Sequence, residues 1–513
     1  MAPCSAAEHL PFALPGPAPS VHRLPDPSMT TTQRLTRTLP GPKRRAAHRP
    51  GRAPWFVAAC LALPLAAHAS LIDDLPAGTG YAAWELCSRT MVGGDDFWRV
   101  RTDYTSPKVQ PLPLVWDIDR VLGSKVTVRS WVPLLTNRRI GVFRPGLGCT
   151  LITPDTTEAA VRAQPFKPAS TPAASSLPWP RGEGAAQTSR LSTARTALLA
   201  RHGQAMFSER SQKAGEKINT LAVLVAQDGQ LIHEQYAKDY QRQQPQLGWS
   251  MTKTVTALIA GLMQRDGRLQ LEQPVGLAQW QGSPKAAITW RQLLNMAPGM
   301  AWNEGYEGAS DATQMLFSQG NQAAWAADRP LTSTPGTVFT YSTGFANVAM
   351  LGLKQLAGGS HQALYDYYQA RLFAPLGIRG GVIEPDASGT PVGGARGMLR
   401  PVDWLRLGQL VANQGQWQGQ TVLTPEYMAF LMAASPASSE YGGSIWRQPS
   451  PQIPAELRQR LPADLVWFAG HMGQFIIVVP SHQLVVLRMG VAFDKDLSRN
   501  QAFELAADLL ETP

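Results

Sequence analysis

The sequence predicts an α+β protein, with an antiparallel sheet built from both ends of the main domain and an all-helical region inserted between them. Two hairpin patterns predict the sheet. Residues 220–226 and 230–236 are strand-like and flank Asp228-Gly229, a dipeptide typical of tight β-turns. Residues 474–489 form a second apolar hairpin near the C-terminus. Between the hairpins, residues 275–432 show helical patterns interrupted by Gly and Pro loops.

The composition indicates a globular body rather than a polyanion-binding protein. The 513 residues are 44% hydrophobic and include 15 Trp, with a formal net charge of +10. Much of that charge lies in residues 1–69, which hold eight Lys/Arg and two Asp/Glu. The remainder is close to neutral for its length, so no nucleic-acid partner is expected.

Residues 1–69 have the layout of a leader with a secretory signal peptide. Basic residues at 43–52 precede an apolar run at 55–67, which ends in Ala67-His68-Ala69. The run is too short to span a bilayer, so no stable membrane span is expected after removal of the leader. Met29 is a candidate true start that gives a leader of more usual length. A buried N-terminal helix is the alternative, but the order of segments favours a periplasmic or secreted protein.

The cysteine count fits an exported chain. Removal of the leader leaves only Cys87 and Cys149, which most simply pair in an oxidising compartment. Two buried free thiols are the alternative. Neither these cysteines nor the histidines have metal-ligand spacing, and no nucleotide- or flavin-binding motif is present, so no cofactor or metal is expected.

The remaining chain divides into three predicted parts. Residues 70–160 form an N-terminal accessory block with strand-like runs at 125–131, 139–143 and 146–151. Residues 161–186 are rich in Pro, Ala and Ser and are predicted to be a linker or surface crossing. Residues 187–513 form the main domain, with helices predicted at 191–207, 250–265 and 500–510.

Ser250-Met251-Thr252-Lys253 is the chain's candidate nucleophilic motif. Residues i and i+3 share a helix face, so Lys253 can reach the Ser250 hydroxyl. A serine hydroxyl needs a base to become nucleophilic, and a lysine serves only if its pKa is lowered. The helix N-terminus adds positive potential and free N–H groups for an oxyanion. The alternative is a helix-capping serine followed by a solvated lysine.

Two further elements could complete such a site. Tyr341-Ser342 could place a phenol that shares a proton with a lysine and protonates a leaving group. Gly470-His471-Met472-Gly473-Gln474 precedes the last hairpin, where glycine allows close backbone approach. Each element alone also fits a packed tyrosine or a surface histidine.

The order of these elements resembles the penicillin-recognising serine hydrolases, namely the class C β-lactamases and their esterase and peptidase relatives. The resemblance covers about residues 220–510 and includes the segment 293–300. Within that family the sequence is most similar to the 6-aminohexanoate-dimer hydrolase type, on residues 221–225, 248–253 and 470–474. The resemblance implies a β-lactamase-like fold and a serine hydrolase activity on a small molecule.

The resemblance also implies roles for individual residues. Ser250 would be acylated, Lys253 would be its base partner and Tyr341 the proton shuttle. The backbone N–H groups of Ser250 and Gln474 would form the oxyanion hole. His471 would line the site from the sheet, beside Gly473.

The remaining assignments concern substrate recognition. Tyr306 resembles a tyrosine that contacts the amide substrate in the nylon-oligomer type. Class C β-lactamases have Tyr-x-Asn and Lys-Thr-Gly, whereas this chain has Thr343 at the Asn position and His471-Met472-Gly473 in the second motif. Groups that hold an acylamide and a carboxylate are therefore lost, which predicts poor penicillin turnover.

The sequence thus favours an exported serine hydrolase that cleaves an amide or ester. Two alternatives stay open: a non-catalytic ligand-binding protein on the same scaffold, and a D,D-peptidase or β-lactamase. The natural substrate and the oligomeric state are not predicted.

Overall fold

The computed structural model describes residues 65–131, 136–171 and 173–513. Residues 1–64 of the predicted leader lie outside the described residues. The predicted cleavage site, Ala67-His68-Ala69, falls within the first helix. The leader therefore stays a prediction. Over the described residues, no helix combines the length and apolarity that crossing a bilayer requires.

The N-terminal block combines helices with a small antiparallel sheet whose strands run in sequence order. Residues 88–108 add short helical turns. The predicted runs at 125–131, 139–143 and 146–151 correspond to the second, third and fourth strands. The elements are α1, Leu65–Cys87; β1, Trp116–Val121; β2, Lys125–Ser130; β3, Asn137–Arg144; β4, Gly148–Ile152; and α2, Glu158–Arg162.

The first part of this block is helical, where only strand-like runs had been predicted. Ala77, Tyr81 and Trp84 recur at helical spacing, and all three side chains are buried in the main core. Pro76 and two nearby glycines are unfavourable in helices and obscure this pattern in the sequence. Packing of the apolar face outweighs the poor intrinsic helix propensity.

The two cysteines of the block form a disulfide. Cys87 ends α1 and Cys149 lies in β4, at a sequence separation of 62. Closing a loop of that length is worth about 4 kcal/mol by chain entropy.

A buried carboxylate joins the block to the main domain at the same place. Glu384 accepts hydrogen bonds from Trp84 Nε1 at 2.8 Å, Ser88 Oγ at 2.9 Å and the Cys149 amide at 2.7 Å. Burial raises the pKa of Glu384 to about 7, although these donors and Arg396 oppose the shift. Three donors from the block therefore depend on one side chain of the main domain.

The main domain follows the predicted order, with strands at both ends and helices between them. Its first half contains α3, Thr193–Phe207; β5, Thr220–Gln227; β6, Gln230–Tyr236; β7, Gln246–Leu247; α4, Met251–Arg265; α5, Trp290–Leu294; α6, Asp311–Ser318; α7, Gln322–Ala327; α8, Thr343–Leu356; and α9, His361–Tyr368. Its second half contains β8, Val382–Ile383; β9, Gly397–Leu399; α10, Pro401–Ala412; β10, Gln416–Trp417; β11, Gln420–Thr421; α11, Pro425–Met432; β12, Trp446–Arg447; α12, Ala455–Arg460; β13, Val466–Gly470; β14, Gln474–Val479; β15, Leu484–Gly490; and α13, Lys495–Glu511.

The central sheet has the order β12-β13-β14-β15-β5-β6 and is antiparallel throughout. Alternate residues of β14 enter two different cores. Phe475 and Ile477 pack with α3 and α13 on one face, while Ile476 and Val478 face the core shared with α4 and α10. The antiparallel sheet from both ends of the domain is therefore confirmed, and β13 is an additional strand that the sequence did not predict.

The predicted linker lies against the main domain. Trp179 is buried, and its indole N–H donates to the Val402 carbonyl in α10. Glu183 accepts from Arg400 at 3.0 Å and forms an ion pair with Arg406 at 3.3 Å. These residues of the segment therefore pack against the main domain.

Candidate active site

Ser250 lies at the start of α4, on a backbone that the preceding residues hold in an unusual shape. Trp249 has φ +47°, a left-handed conformation that is uncommon for a bulky residue and is often found at functional sites. The Ser250 side chain makes no capping hydrogen bond to the helix. Across the described residues, its backbone amide also has no hydrogen-bond partner within the chain. Both groups are therefore available for another role.

Lys253 is one turn further along α4, and its side chain is 1% exposed. Its Nζ donates to Ser250 Oγ at 2.8 Å, to Thr343 Oγ1 at 2.8 Å and to the Gly394 carbonyl at 3.1 Å. Burial lowers the pKa of Lys253 to about 8, against an opposing effect of Glu304. The capping serine and solvated lysine of the alternative interpretation are not what the structure contains.

Tyr341 lies on the other side of the same amine. Lys253 Nζ is 4.7 Å from the centre of the Tyr341 ring, which packs against Trp446 and Tyr441. Burial raises the pKa of Tyr341, and the charge of Glu304 adds to the effect, while a hydrogen bond with Ser250 opposes it. The phenol therefore keeps its proton at neutral pH.

Glu304 is a site residue that the sequence analysis missed. Its Oε1 lies 3.7 Å from Lys253 Nζ and accepts from the hydroxyls of Thr343 and Tyr306. Its Oε2 accepts from the Thr343 amide at 2.8 Å and from Trp302 Nε1 at 2.6 Å. The carboxylate thus holds Thr343 against the lysine and supplies the nearest negative charge. Nothing in the sequence distinguished Glu304 from Glu307 in the same loop.

Tyr306 and His471 form an aromatic wall next to this network. The Tyr306 hydroxyl lies 3.1 Å from Thr343 Oγ1, and its ring stacks on His471 with centroids 5.0 Å apart. The His471 and Trp249 rings also make a T-shaped contact, with centroids 5.4 Å apart. Burial, aided by the charges of Lys108 and Lys495, lowers the pKa of His471 to about 3. The imidazole is therefore neutral in this wall.

The turn from Gly470 to Gln474 joins β13 to β14. A Cβ on Gly470 would lie 2.2 Å from the Gly248 carbonyl, so glycine permits the turn to approach the Ser250 segment. Gly473 has φ +82° and packs on Arg488 and Ser498.

Gln474 is buried and its amide braces the turn. Its Nε2 donates to the carbonyls of His471, Met472 and Gly490. Its backbone is paired in register with Gly470 at the first position of β14. The side chain of Gln474 therefore stabilises the turn, which leaves the His471 ring and backbone groups of the turn as candidates for contact with a substrate.

The structure brings Ser250, Lys253 and Tyr341 together with Tyr306 and His471. The pKa of Lys253 is lowered and that of Tyr341 is raised, so the two groups are suited to different proton-transfer roles. An amine with a lowered pKa can take a proton from the serine hydroxyl, and a phenol that keeps its proton can donate it. The described residues contain no His, Cys, Asp and Glu group arranged to hold a metal ion.

A family model described as Beta-lactamase matches residues 204–511. A search of curated proteins found no match. Similar solved structures include "Putative 6-aminohexanoate-dimer hydrolase from Bacillus anthracis", with 20% identity over 57% of this chain and 81% of that chain and a TM-score of 0.49. Another is EstCE1, described as a hydrolase with promiscuous acyltransferase activity, with 19% identity over 61% of this chain and 100% of that chain and a TM-score of 0.48. A third is D-alanine carboxypeptidase AmpC from Burkholderia cenocepacia, with 17% identity over 61% of this chain and 98% of that chain and a TM-score of 0.45.

Proposed function

Because the chain belongs to the Beta-lactamase family of serine hydrolases, we propose that it is an exported enzyme that cleaves an amide or ester through an acyl-enzyme on Ser250. The observation that carries this proposal is the buried Lys253, whose amine donates to Ser250 Oγ at 2.8 Å. Its pKa near 8 leaves part of the amine unprotonated at neutral pH. A positioned base of this kind activates a serine hydroxyl.

In the acylation step, Lys253 and Tyr341 transfer the protons. Unprotonated Lys253 takes the hydroxyl proton while Ser250 Oγ attacks the carbonyl carbon of the substrate. The free Ser250 amide at the N-terminus of α4, together with a backbone N–H of the Gly470–Gln474 turn, stabilises the oxyanion. Tyr341 protonates the leaving nitrogen or oxygen as its bond to the carbonyl carbon breaks. Lys253 then returns its proton to Tyr341.

Deacylation uses the same groups with water as the nucleophile. Water loses a proton to Lys253 as it attacks the acyl carbon. Ser250 Oγ leaves and regains a proton through Tyr341 and Lys253, which releases the carboxylic acid.

The substrate is expected to lack the features of a penicillin. Thr343 occupies the position of the class C asparagine, and its hydroxyl is held between Lys253 and Glu304. It therefore offers no free amide to hold an acylamide side chain. This supports an amide or ester substrate over efficient β-lactam turnover.

Export is supported by two features of the chain. Residues 1–69 have the order of a secretory signal peptide, and Cys87 and Cys149 are joined in a disulfide. We propose a periplasmic or secreted location for the mature protein.

Hydrolysis of p-nitrophenyl acetate by the purified chain tests the proposal. We expect Ser250→Ala to lower kcat/KM at least a thousandfold, because no other group forms the acyl-enzyme. Ser208→Ala, at an exposed serine, should retain the wild-type rate. Retained activity in Ser250→Ala would contradict the mechanism, and rapid nitrocefin turnover by the wild type would favour a β-lactamase instead.

The pH dependence tests the role of Lys253 as base. Only the unprotonated amine accepts a proton, so kcat/KM should rise with pH along a limb with an apparent pKa near 8. Glu304 favours the charged form of Lys253, so Glu304→Gln should move this limb to lower pH. Rates corrected for spontaneous hydrolysis between pH 6 and 9.5 measure the shift.

Glu272→Gln provides the control, since Glu272 is exposed and pairs with Arg291 away from the site. It should leave the limb in place. A limb that stays in place or moves to higher pH in Glu304→Gln would assign the titration to another group.

A further inference from the structure

A cavity of about 470 Å³ lies beside the site, between the N-terminal block and the main domain. One wall comes from residues 74–81 of α1 and from the segment 108–115. The opposite wall includes Trp249, Tyr306 and His471. Residues 74–115 lie outside the segment that the family model matches, so this wall is an addition to the family domain.

The cavity adjoins the reacting groups. Trp249 immediately precedes Ser250 in the chain and lines the cavity. Tyr306 also lines it, and its hydroxyl bonds to Thr343 and Glu304, which contact Lys253. A group that enters the cavity therefore lies against Trp249, the neighbour of Ser250 in the chain, and against Tyr306, which bonds to partners of Lys253.

The lining is mainly apolar. Its apolar side chains come from both walls: Leu75, Tyr81, Val109, Leu112, Phe317 and Trp249. The charged pair of Lys108 and Glu307 lies at the exposed edge, where Glu307 is 94% exposed. Asp74 also lines the cavity, and its Oδ1 is buried without a hydrogen-bond partner among the described residues.

Gly78 lines the cavity from α1. Glycine within a helix costs stability relative to alanine, so its presence inside α1 calls for a local reason. A Cβ on Gly78 would lie 3.5 Å from Leu112 and 3.9 Å from Val109, at ordinary van der Waals distances. Space therefore permits a side chain here, and a large one would extend into the cavity.

We propose that residues 74–81 and 108–115, together with Trp249, Tyr306 and His471, form a specificity pocket. The pocket selects substrates with an extended apolar chain attached to the scissile carbonyl group or to its leaving group. The proposal rests on the proposed function and adds the substrate class. A cavity of this size and lining suits an alkyl or aryl chain, and each buried methylene is worth about fourfold in affinity.

A series of p-nitrophenyl esters from acetate to octanoate tests the pocket. The wild-type ratio of kcat/KM for octanoate over acetate should be well above one and should fall at least tenfold in Gly78→Phe. Val109→Trp fills the same cavity from the segment 108–115 and provides a second variant in case Gly78→Phe does not fold. It should lower the same ratio. Gly215→Phe is the matched control, at an exposed glycine beside Pro107 and outside the cavity, and should keep the wild-type ratio.

A binding measurement separates this proposal from the acyl-enzyme mechanism. Calorimetric titration of Ser250→Ala with 2-decanone, which has an apolar chain but no scissile bond, should show saturable binding that Gly78→Phe abolishes. Such binding, together with a wild-type protein that hydrolyses no ester, would support the pocket and contradict the proposed function. Ester hydrolysis through Ser250 with no dependence on chain length, or absence of 2-decanone binding, would overturn the pocket.

Discussion

Replacing Lys253 by methionine is expected to lower kcat/KM for a short ester about a thousandfold, the scale of a lost general base. Methionine retains much of the apolar stem, so the protein should stay folded. The loss should come mainly from kcat, because Lys253 acts in proton transfer rather than in holding the substrate. Steady-state kinetics near pH 8.5, where wild-type Lys253 is largely unprotonated, provides the measurement.

Two further variants make this prediction specific. Lys253→Arg should not restore activity, because a guanidinium does not give up its proton in proteins. Lys354→Met removes a second lysine, which is only partly buried. Burial also lowers its pKa, but its Nζ donates to Thr390 Oγ1. It should retain wild-type kinetics. Activity in Lys253→Met within tenfold of wild type would mean that another group is the base.

Replacing Glu384 by alanine is expected to lower the free energy of unfolding by about 3 kcal/mol or more. The change leaves Trp84 Nε1, Ser88 Oγ and the Cys149 amide without their acceptor in a buried region. Urea denaturation monitored by circular dichroism measures the loss. Glu272→Ala, at an exposed ion pair, should change stability by less than about 0.5 kcal/mol.

The pH dependence of this loss follows from the raised pKa of Glu384. In the unfolded chain the carboxyl ionises near its usual pKa of 4.5, and in the folded protein near 7. Its stabilising contribution is therefore complete below pH 4.5 and declines as pH rises through 7. The difference between wild type and Glu384→Ala should be larger at pH 5 than at pH 8. A difference below about 1 kcal/mol at pH 5 would show that the Glu384 carboxyl group does not secure the block.

The predictable parts of the fold carry local signals. Asp228-Gly229 fixes one hairpin, and the apolar alternation of residues 474–489 fixes another, because each pattern acts over a few residues. α1 was missed for the opposite reason, since Pro76, Gly78 and Gly80 argue against a helix locally and only burial of its apolar face supports one. β13 was missed because its place depends on pairing with β14, a contact defined by the tertiary fold.

In the candidate site too, local sequence patterns predicted some residues, whereas others depend on tertiary contacts. Ser250 and Lys253 lie one helical turn apart, so sequence spacing was enough to bring them together. Tyr341 was assigned to the same site because the order of the motifs resembles that of a known family. Glu304 could not be chosen from the sequence, because its role arises from contacts with Thr343 and Lys253, which are distant along the chain. The roles of Gly473 and Gln474 depended on a turn geometry that spacing does not define.

The acyl-enzyme on Ser250 is the central claim, and mass spectrometry of the protein after treatment with a fluorophosphonate tests it most directly. Intact mass should increase by one adduct, and peptide mapping should place the adduct on Ser250. Ser250→Ala should remain unmodified, while Ser208→Ala should be modified like the wild type. An adduct on a different residue, or ester hydrolysis that continues with Ser250 unmodified, would contradict the account.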